Sequence, residues 1–169
     1  MREKDRDSDS DRGICHVREA VERDLSGVLE VQRGAGRADT DAFAQSIVHS
    51  VKDPGRFLIV AETEGRLVGW ASTKYFPDVD GDAPAGHYLM GITVAPKSRR
   101  LGVARSLITA RLSWISQVAD NAFYFASSMN QASIGAHEPW NFHEIARAHQ
   151  FRGVPFASGE GILFQAALR

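Results

Sequence analysis

The chain has 169 residues, 43% of them hydrophobic and 24% charged, with a net charge of −1. That balance suits one ordinary globular domain with a sizeable core, and it excludes an overall field that would recruit nucleic acid or an anionic membrane. The single cysteine, Cys15, excludes an intramolecular disulfide and fits a reducing cytoplasm, and no apolar run approaches the ~18–20 residues that span a bilayer.

In chain order, residues 1–13 (MREKDRDSDSDRG) stand apart, because nine of the first twelve are charged and only Met1 is apolar. Such a segment cannot bury enough surface to offset its ordering entropy, and it lacks the apolar stretch of a signal peptide. A disordered charged tail is expected there, followed by one domain over 14–169. Cys15 to Ala20 reads as a first strand, with Cys15 a small core residue rather than a nucleophile. Asp24 or Ser26 begins a helix carrying Leu25, Val28, Leu29 and Val31 and ending at Gly34. A second helix starts at about Asp39, a good N-cap residue, carries Phe43, Ile47 and Val51, and is closed by Pro54-Gly55. Phe57–Ala61 is a strand, Glu62 to Gly65 a turn, and Arg66 to Tyr75 the returning hairpin partner. A loop, PDVDGDAPAG, covers 77–86.

The stretch Tyr88 to Leu112 is the most informative. An apolar run with Gly91, Ile92 and Val94 ends at Pro96, a basic loop follows (Lys97, Ser98, Arg99, Arg100), and Gly102 opens a helix over about 102–117. That helix has Ala104, Leu107, Ile108, Leu112 and Ile115 at helical spacing. A strand, a basic glycine-containing loop and a helix in that order make an anion site. The first N–H groups of a helix lack internal partners, the helix dipole is positive there, and Gly102 lets the backbone come close to a bulky phosphate. Arg99 and Arg100 add fixed positive charge suited to a diphosphate. Ala122–Ser127 is another strand, a short helix covers about 131–138, and strands near 143–151 and 160–167 close the chain. Strands alternating with helices, with hairpins as well, imply a mixed sheet with helices on both faces.

Neither the dinucleotide fingerprint G-x-G-x-x-G nor the P-loop G-x-x-x-x-G-K-[ST] occurs, and Gly34-Ala35-Gly36 lacks the third glycine. Arg99-Arg100-Leu101-Gly102-Val103-Ala104 instead fits R/Q-x-x-G-x-G/A. Downstream, the run from Asn130 through Ser133, His137 and Glu138 to Phe142 fits N-x-x-S-x-x-x-[YH]-E-x-x-G-F. On these motifs and the order of its elements, over roughly residues 14–165, the chain resembles the GNAT acyl-CoA N-acyltransferases. His in place of the commoner Tyr at 137 is similar to the phosphinothricin-acetyltransferase-like branch. There are two departures. Asn141 replaces the Gly before Phe142, although Asn is the next best residue at positive φ, and Pro139 should stop the short helix near Glu138.

The resemblance implies a mixed, mostly antiparallel sheet of about six or seven strands, whose parallel fourth and fifth strands splay apart to admit acetyl-CoA as co-substrate. The pantetheine arm would pair with the backbone of Ile92 and Val94. Gly91 would suit either a bulge that frees those groups or tight packing against a helix. The diphosphate would take the amides of about Leu101 to Ala104, beside Arg99 and Arg100. Asn130 would bind pantetheine, hold the splay open, or cap the helix that brings Ser133 and His137 onto one face. His137 would donate a proton to the departing thiolate as an imidazolium, or merely shape the pocket. A backbone N–H near Ile92 would hold the oxyanion.

Many family members carry a carboxylate base on the fourth strand. This chain has His87 and Tyr88 there, so His87 is the best substitute base, with Glu160, Asp78, Asp80 and Asp82 as other candidates. The three aspartates either attract a cationic amine or form a solvated loop. Trp70, Tyr75 and Trp140 either line the acceptor pocket or lie in the core. A zinc site is rejected, because H-E-x-x-H fails at His137-Glu138, followed by Asn141, and at His143-Glu144, followed by Arg147. The expected activity is acetyl transfer to a primary amine of a small molecule such as an amino acid, an amine-bearing antibiotic or a polyamine. A protein N-terminus or lysine is the second acceptor class, and a non-catalytic acyl-CoA sensor the rival of another kind. The resemblance also allows a homodimer through the last strands.

Overall fold

The computed structural model describes residues 15–169, so the charged tail expected over 1–13 lies outside the described residues. In chain order the strands are β1 (His16–Glu19), β2 (Arg56–Thr63), β3 (Arg66–Phe76), β4 (Gly86–Val94), β5 (Asn121–Ser127), β6 (His143–Ala148), β7 (Gln150–Phe151), β8 (Val154–Pro155) and β9 (Gly161–Ala167). The helices are α1 (Leu25–Gly34), α2 (Asp41–Lys52), α3 (Val103–Ser116) and α4 (Gln131–His137). Seven strands form one sheet in the order β1-β2-β3-β4-β5-β9-β6, while β7 and β8 pair only with each other. Neighbours in the large sheet are antiparallel except β4 and β5, which are parallel. This is the mixed, mostly antiparallel sheet that the sequence implies. No helix among the described residues is long and apolar enough to cross a membrane.

Helices cover both faces, and β2 shows why its sequence is apolar without interruption. Leu58 and Val60 pack with Val28, Val31, Ile47 and Trp70 under α1 and α2. Ile59 and Ala61 point the other way, onto Val103 and Leu107 of α3. A strand buried on both faces needs hydrophobic residues at every position.

Local chemistry fixes the helix starts. The buried carboxylate of Asp24 accepts the Val21 N–H at 2.8 Å and the Arg18 guanidinium at 2.7 and 2.9 Å, just before α1. The hydrogen bond from Arg18 holds that carboxyl below its ordinary pKa. Thr40, not Asp39, caps α2: its hydroxyl accepts the Phe43 N–H at 3.2 Å, while Asp39 pairs with Arg33 at 2.7 Å. The strand expected over 143–151 divides at His149, whose Nδ1 lies 2.6 Å from the Gly159 carbonyl, so β7 leaves the large sheet.

The two edges of β4 differ. Along β3 the register runs from Phe76↔Gly86 to Gly69↔Val94, with one shift where Met90 and Gly91 face the single residue Ser72. This is the bulge expected at Gly91. A Cβ on Gly91 would lie 2.7 Å from Cη2 of Trp70, so the glycine is also required by close packing, against a ring of β3 rather than a helix. Along β5, pairing stops after His87↔Ala122 and Tyr88↔Phe123, and beyond them the two strands part.

Candidate active site

Past the bulge, the Ala95 N–H donates to the Val68 carbonyl at 2.8 Å. Antiparallel pairs alternate along a ladder, so Thr93 and Trp70 form the next hydrogen-bonded pair, and Ile92 and Val94 turn their N–H and C=O groups to the open edge. That edge is one wall of a cleft of about 650 Å³, whose other wall includes Asn130, Ser133 and His137. The Ile92 carbonyl accepts from Arg37 Nη1 at 3.0 Å, and the Val94 carbonyl from Arg99 Nε at 3.3 Å. The two N–H groups are the open donors of this edge.

Beside it, at the start of α3, is a second cavity of about 510 Å³ that shares Val94, Arg99 and Ala104 with the cleft and is lined also by Arg100, Gly102 and Val103. Gly102 is the N-cap of α3 at φ 82°, a left-handed conformation that only glycine adopts without strain. Arg100, also at positive φ (61°), makes the loop turn sharply enough to present the helix end. The first amides of α3 have no partner inside the helix, and no acidic residue occupies its first turn. Leu101 lines neither cavity, and its side chain is exposed. Trp140 lines this second cavity, at the anion end rather than at an acceptor pocket.

Asn130 is the N-cap of α4, its Oδ1 accepting the Ser133 N–H at 3.1 Å, and it lines the cleft as well. One turn on, His137 Nδ1 lies 2.7 Å from the Ser133 carbonyl. A carbonyl only accepts, so Nδ1 carries the proton and Nε2 the lone pair. The ring is 3% exposed and stacks on Tyr124 at 4.0 Å, and its Nε2 is buried without a partner. Burial lowers its pKa to about 4, and the Arg111 charge pushes the same way against the bond to Ser133. The resting ring is therefore neutral, with its lone pair on Nε2. Asn141 adopts φ 57°, as expected for the residue that replaces glycine, and α4 stops at His137 before Pro139.

Other candidates are dispersed. His87 is outside the cleft lining, wedged between Tyr75 (4.8 Å) and Trp114 (5.5 Å) where β4 still pairs with β5. That position does not bring it to the open edge as a base. Trp70 is buried in the core against Phe43. Glu160 pairs with Arg147 at 2.8 Å on the surface. Sequence reasoning passed over Arg37, in the loop after α1, and Arg111, a fully buried cation on α3. The signal for Arg111 was its place one turn after Leu107 and Ile108 on the apolar face. Among the described residues, no group of three His, Cys, Asp or Glu side chains is placed to hold a metal.

The model of the acetyltransferase (GNAT) family matches residues 19–142. No curated protein matches the chain. Among solved structures, the chain is similar to yncA from Salmonella typhimurium, determined with its cofactor acetyl-CoA, at TM-score 0.72 and 19% identity over 93% of this chain and 95% of that one. It is similar to the ribosomal-protein-alanine N-acetyltransferase from Brucella melitensis at TM-score 0.72 and 22% identity, over 90% and 99% of the two chains. A protein provisionally described as a phosphinothricin N-acetyltransferase superposes at TM-score 0.70 with 20% identity, over 92% and 99%.

Proposed function

Since this chain belongs to the acetyltransferase (GNAT) family, we propose that it transfers the acetyl group of acetyl-CoA to the primary amine of a small molecule, in the cleft beside β4. One observation carries the reading: the unpaired edge of β4 leads to the amide-bearing start of α3, and two adjoining cavities that share Val94, Arg99 and Ala104 offer extended-backbone donors at one and an anion cradle at the other.

The residues present fit that cofactor. The left-handed Gly102 leaves the cradle free of a Cβ, and the amides of Gly102 to Ala104, with Arg99 and Arg100, suit a diphosphate. The Val94 N–H suits a carbonyl of an extended arm and the Ile92 N–H the thioester carbonyl at its end, with Asn130 and Ser133 on the opposite wall. Acetyl-CoA supplies the acetyl group as an activated thioester.

In the transfer, the amine nitrogen bonds to the acetyl carbon, the carbon–sulfur bond breaks, and one proton leaves nitrogen while the sulfur departs as a thiolate that becomes a thiol. The Ile92 N–H, fixed by the bulge, holds the oxyanion that forms between these events. His137 Nε2 is a buried lone pair without a hydrogen-bond partner, suited to accept the proton that the nitrogen loses and pass it to sulfur. A cytoplasmic protein, paired through β6, the exposed edge strand, completes the reading.

Thiol release from acetyl-CoA, measured across a panel of amino acids, polyamines, aminoglycosides and short peptides with mass detection, tests it. An acetylated small amine is the expected result. Acetylation of peptides alone moves the acceptor to a protein N-terminus or lysine. Tight acetyl-CoA binding with no thiol release across the panel overturns the enzyme in favour of a sensor.

A further inference from the structure

Arg111 is 0% exposed, yet the described residues place no carboxylate in ion-pair contact with it. Its Nη1 donates to the Ser72 carbonyl at 3.1 Å and to the Met90 carbonyl at 3.3 Å, one on each strand of the β4 bulge. Its Nε and Nη2 are buried with no partner at all. Burial of this lone cation lowers its pKa to about 9, so it is disfavoured where it stands but still charged at neutral pH. Position 111 follows Leu107 and Ile108 by one turn and precedes Leu112 and Ile115, all buried, so an apolar residue would serve packing there. The guanidinium reaches the β4 bulge, in the part of the strand whose edge towards β5 is open.

We propose that Arg111 is a positioning residue for acetyl transfer: it clamps Ser72 and Met90 across the bulge, and so aims the Ile92 N–H at the oxyanion. The inference rests on the acetyl-transfer reading above. Gly91 and Ile92 directly follow the clamped Met90, and a bulge leaves its extra residue unpaired and the ladder locally disrupted, so the clamp supplies the anchorage that the ladder lacks there. A donor fixed before the reaction is what lowers the barrier, because nothing has to reorganise as the charge forms. The unneutralised guanidinium adds a favourable field for an oxyanion and a thiolate in a site of low dielectric.

The test compares the full chain with R111M, which keeps the stem without charge or donors, and R111K, which keeps both. Acetyl-CoA affinity, kcat, and backbone 15N order parameters of residues 90–92 in the free protein are measured together. R111M is expected to lose about 100-fold in kcat, to hold acetyl-CoA within about threefold of wild type, and to show lower order at 90–92, with R111K recovering most of each. If R111M does not fold, the same three measurements on R111Q, an uncharged donor, take its place. Unchanged order at 90–92, or wild-type kcat in the variant, overturns the role. So does a kcat loss matched by an equal loss of acetyl-CoA affinity, the mark of a merely structural residue. Failure of the wild type to release thiol sinks the acetyl-transfer reading and this role with it, whereas wild-type turnover matched by R111M sinks the role alone.

Discussion

The same nine residues of β4 serve two purposes on two edges. Towards β3 the strand is paired along its length, apart from the bulge at Met90 and Gly91. Towards β5 it is paired at two positions and then released. β5 itself is in register with β9 from Asn121↔Ala167 to Ser127↔Gly161, so the gap is not a frayed end of the sheet. Buried backbone groups are rarely left without partners, and a sheet that opens at its centre keeps a row of them for something other than a strand. The difference teaches where to look for the ligand: the fold is held by the edge towards β3, and the chemistry is proposed for the edge towards β5.

Several substitutions break that contrast. The largest effect is expected from Gly102→Val at the end of the open edge. A β-branched residue at φ 82° is strained by roughly 1–2 kcal/mol, at a position that lines the second cavity. Acetyl-CoA affinity by calorimetry should fall about 100-fold. His137→Phe is expected to lower kcat about 100-fold at unchanged acetyl-CoA affinity. An equal loss in both would mean that the ring only shapes the cleft. The remaining effects should appear in stability instead. His137 has a folded pKa of about 4 against 6.5 for an unperturbed ring. Below pH 6.5 the unfolded chain therefore binds a proton that the folded chain refuses. The fold is expected to lose about 3 kcal/mol as pH falls through that window, and none above it. Urea melts at pH 7, 5.5 and 4.5 measure this, and His137→Phe should flatten the dependence. Gly91→Ala places a Cβ 2.7 Å from Trp70, so the melt should show a loss of roughly 1–3 kcal/mol before any change in activity is considered.

The parts legible in the sequence are those where one local rule decides. The run Phe57–Ala61 is apolar because both its faces are buried, Gly102 is at the left-handed cap its loop demands, and Asn141 takes the positive φ its place requires. The diphosphate cradle proposed for Arg99 to Ala104 could be read from the sequence for the same reason, since it is a run of consecutive residues. What was hidden depends on side-chain contacts that the local pattern does not show. Asp39 looked like a cap, but Arg33 holds its carboxylate and leaves the role to Thr40. His87 has the right chemistry for a base, but Tyr75 and Trp114 enclose it away from the cleft. The insertion of β9 between β5 and β6 is a pairing that no local pattern encodes. Arg111 was hidden because arginine on a helix reads as a solvated face, and only the carbonyls of Ser72 and Met90 show why a cation is inside.

Backbone amide exchange, followed residue by residue with and without saturating acetyl-CoA, tests the central claim most directly. The account predicts that the amides of Ile92 and Val94, and those of Val103 and Ala104, become protected together, while the ladder between β2 and β3 is unmoved. Uptake of acetyl-CoA that leaves these four amides exchanging as before, or no uptake at all, would contradict it.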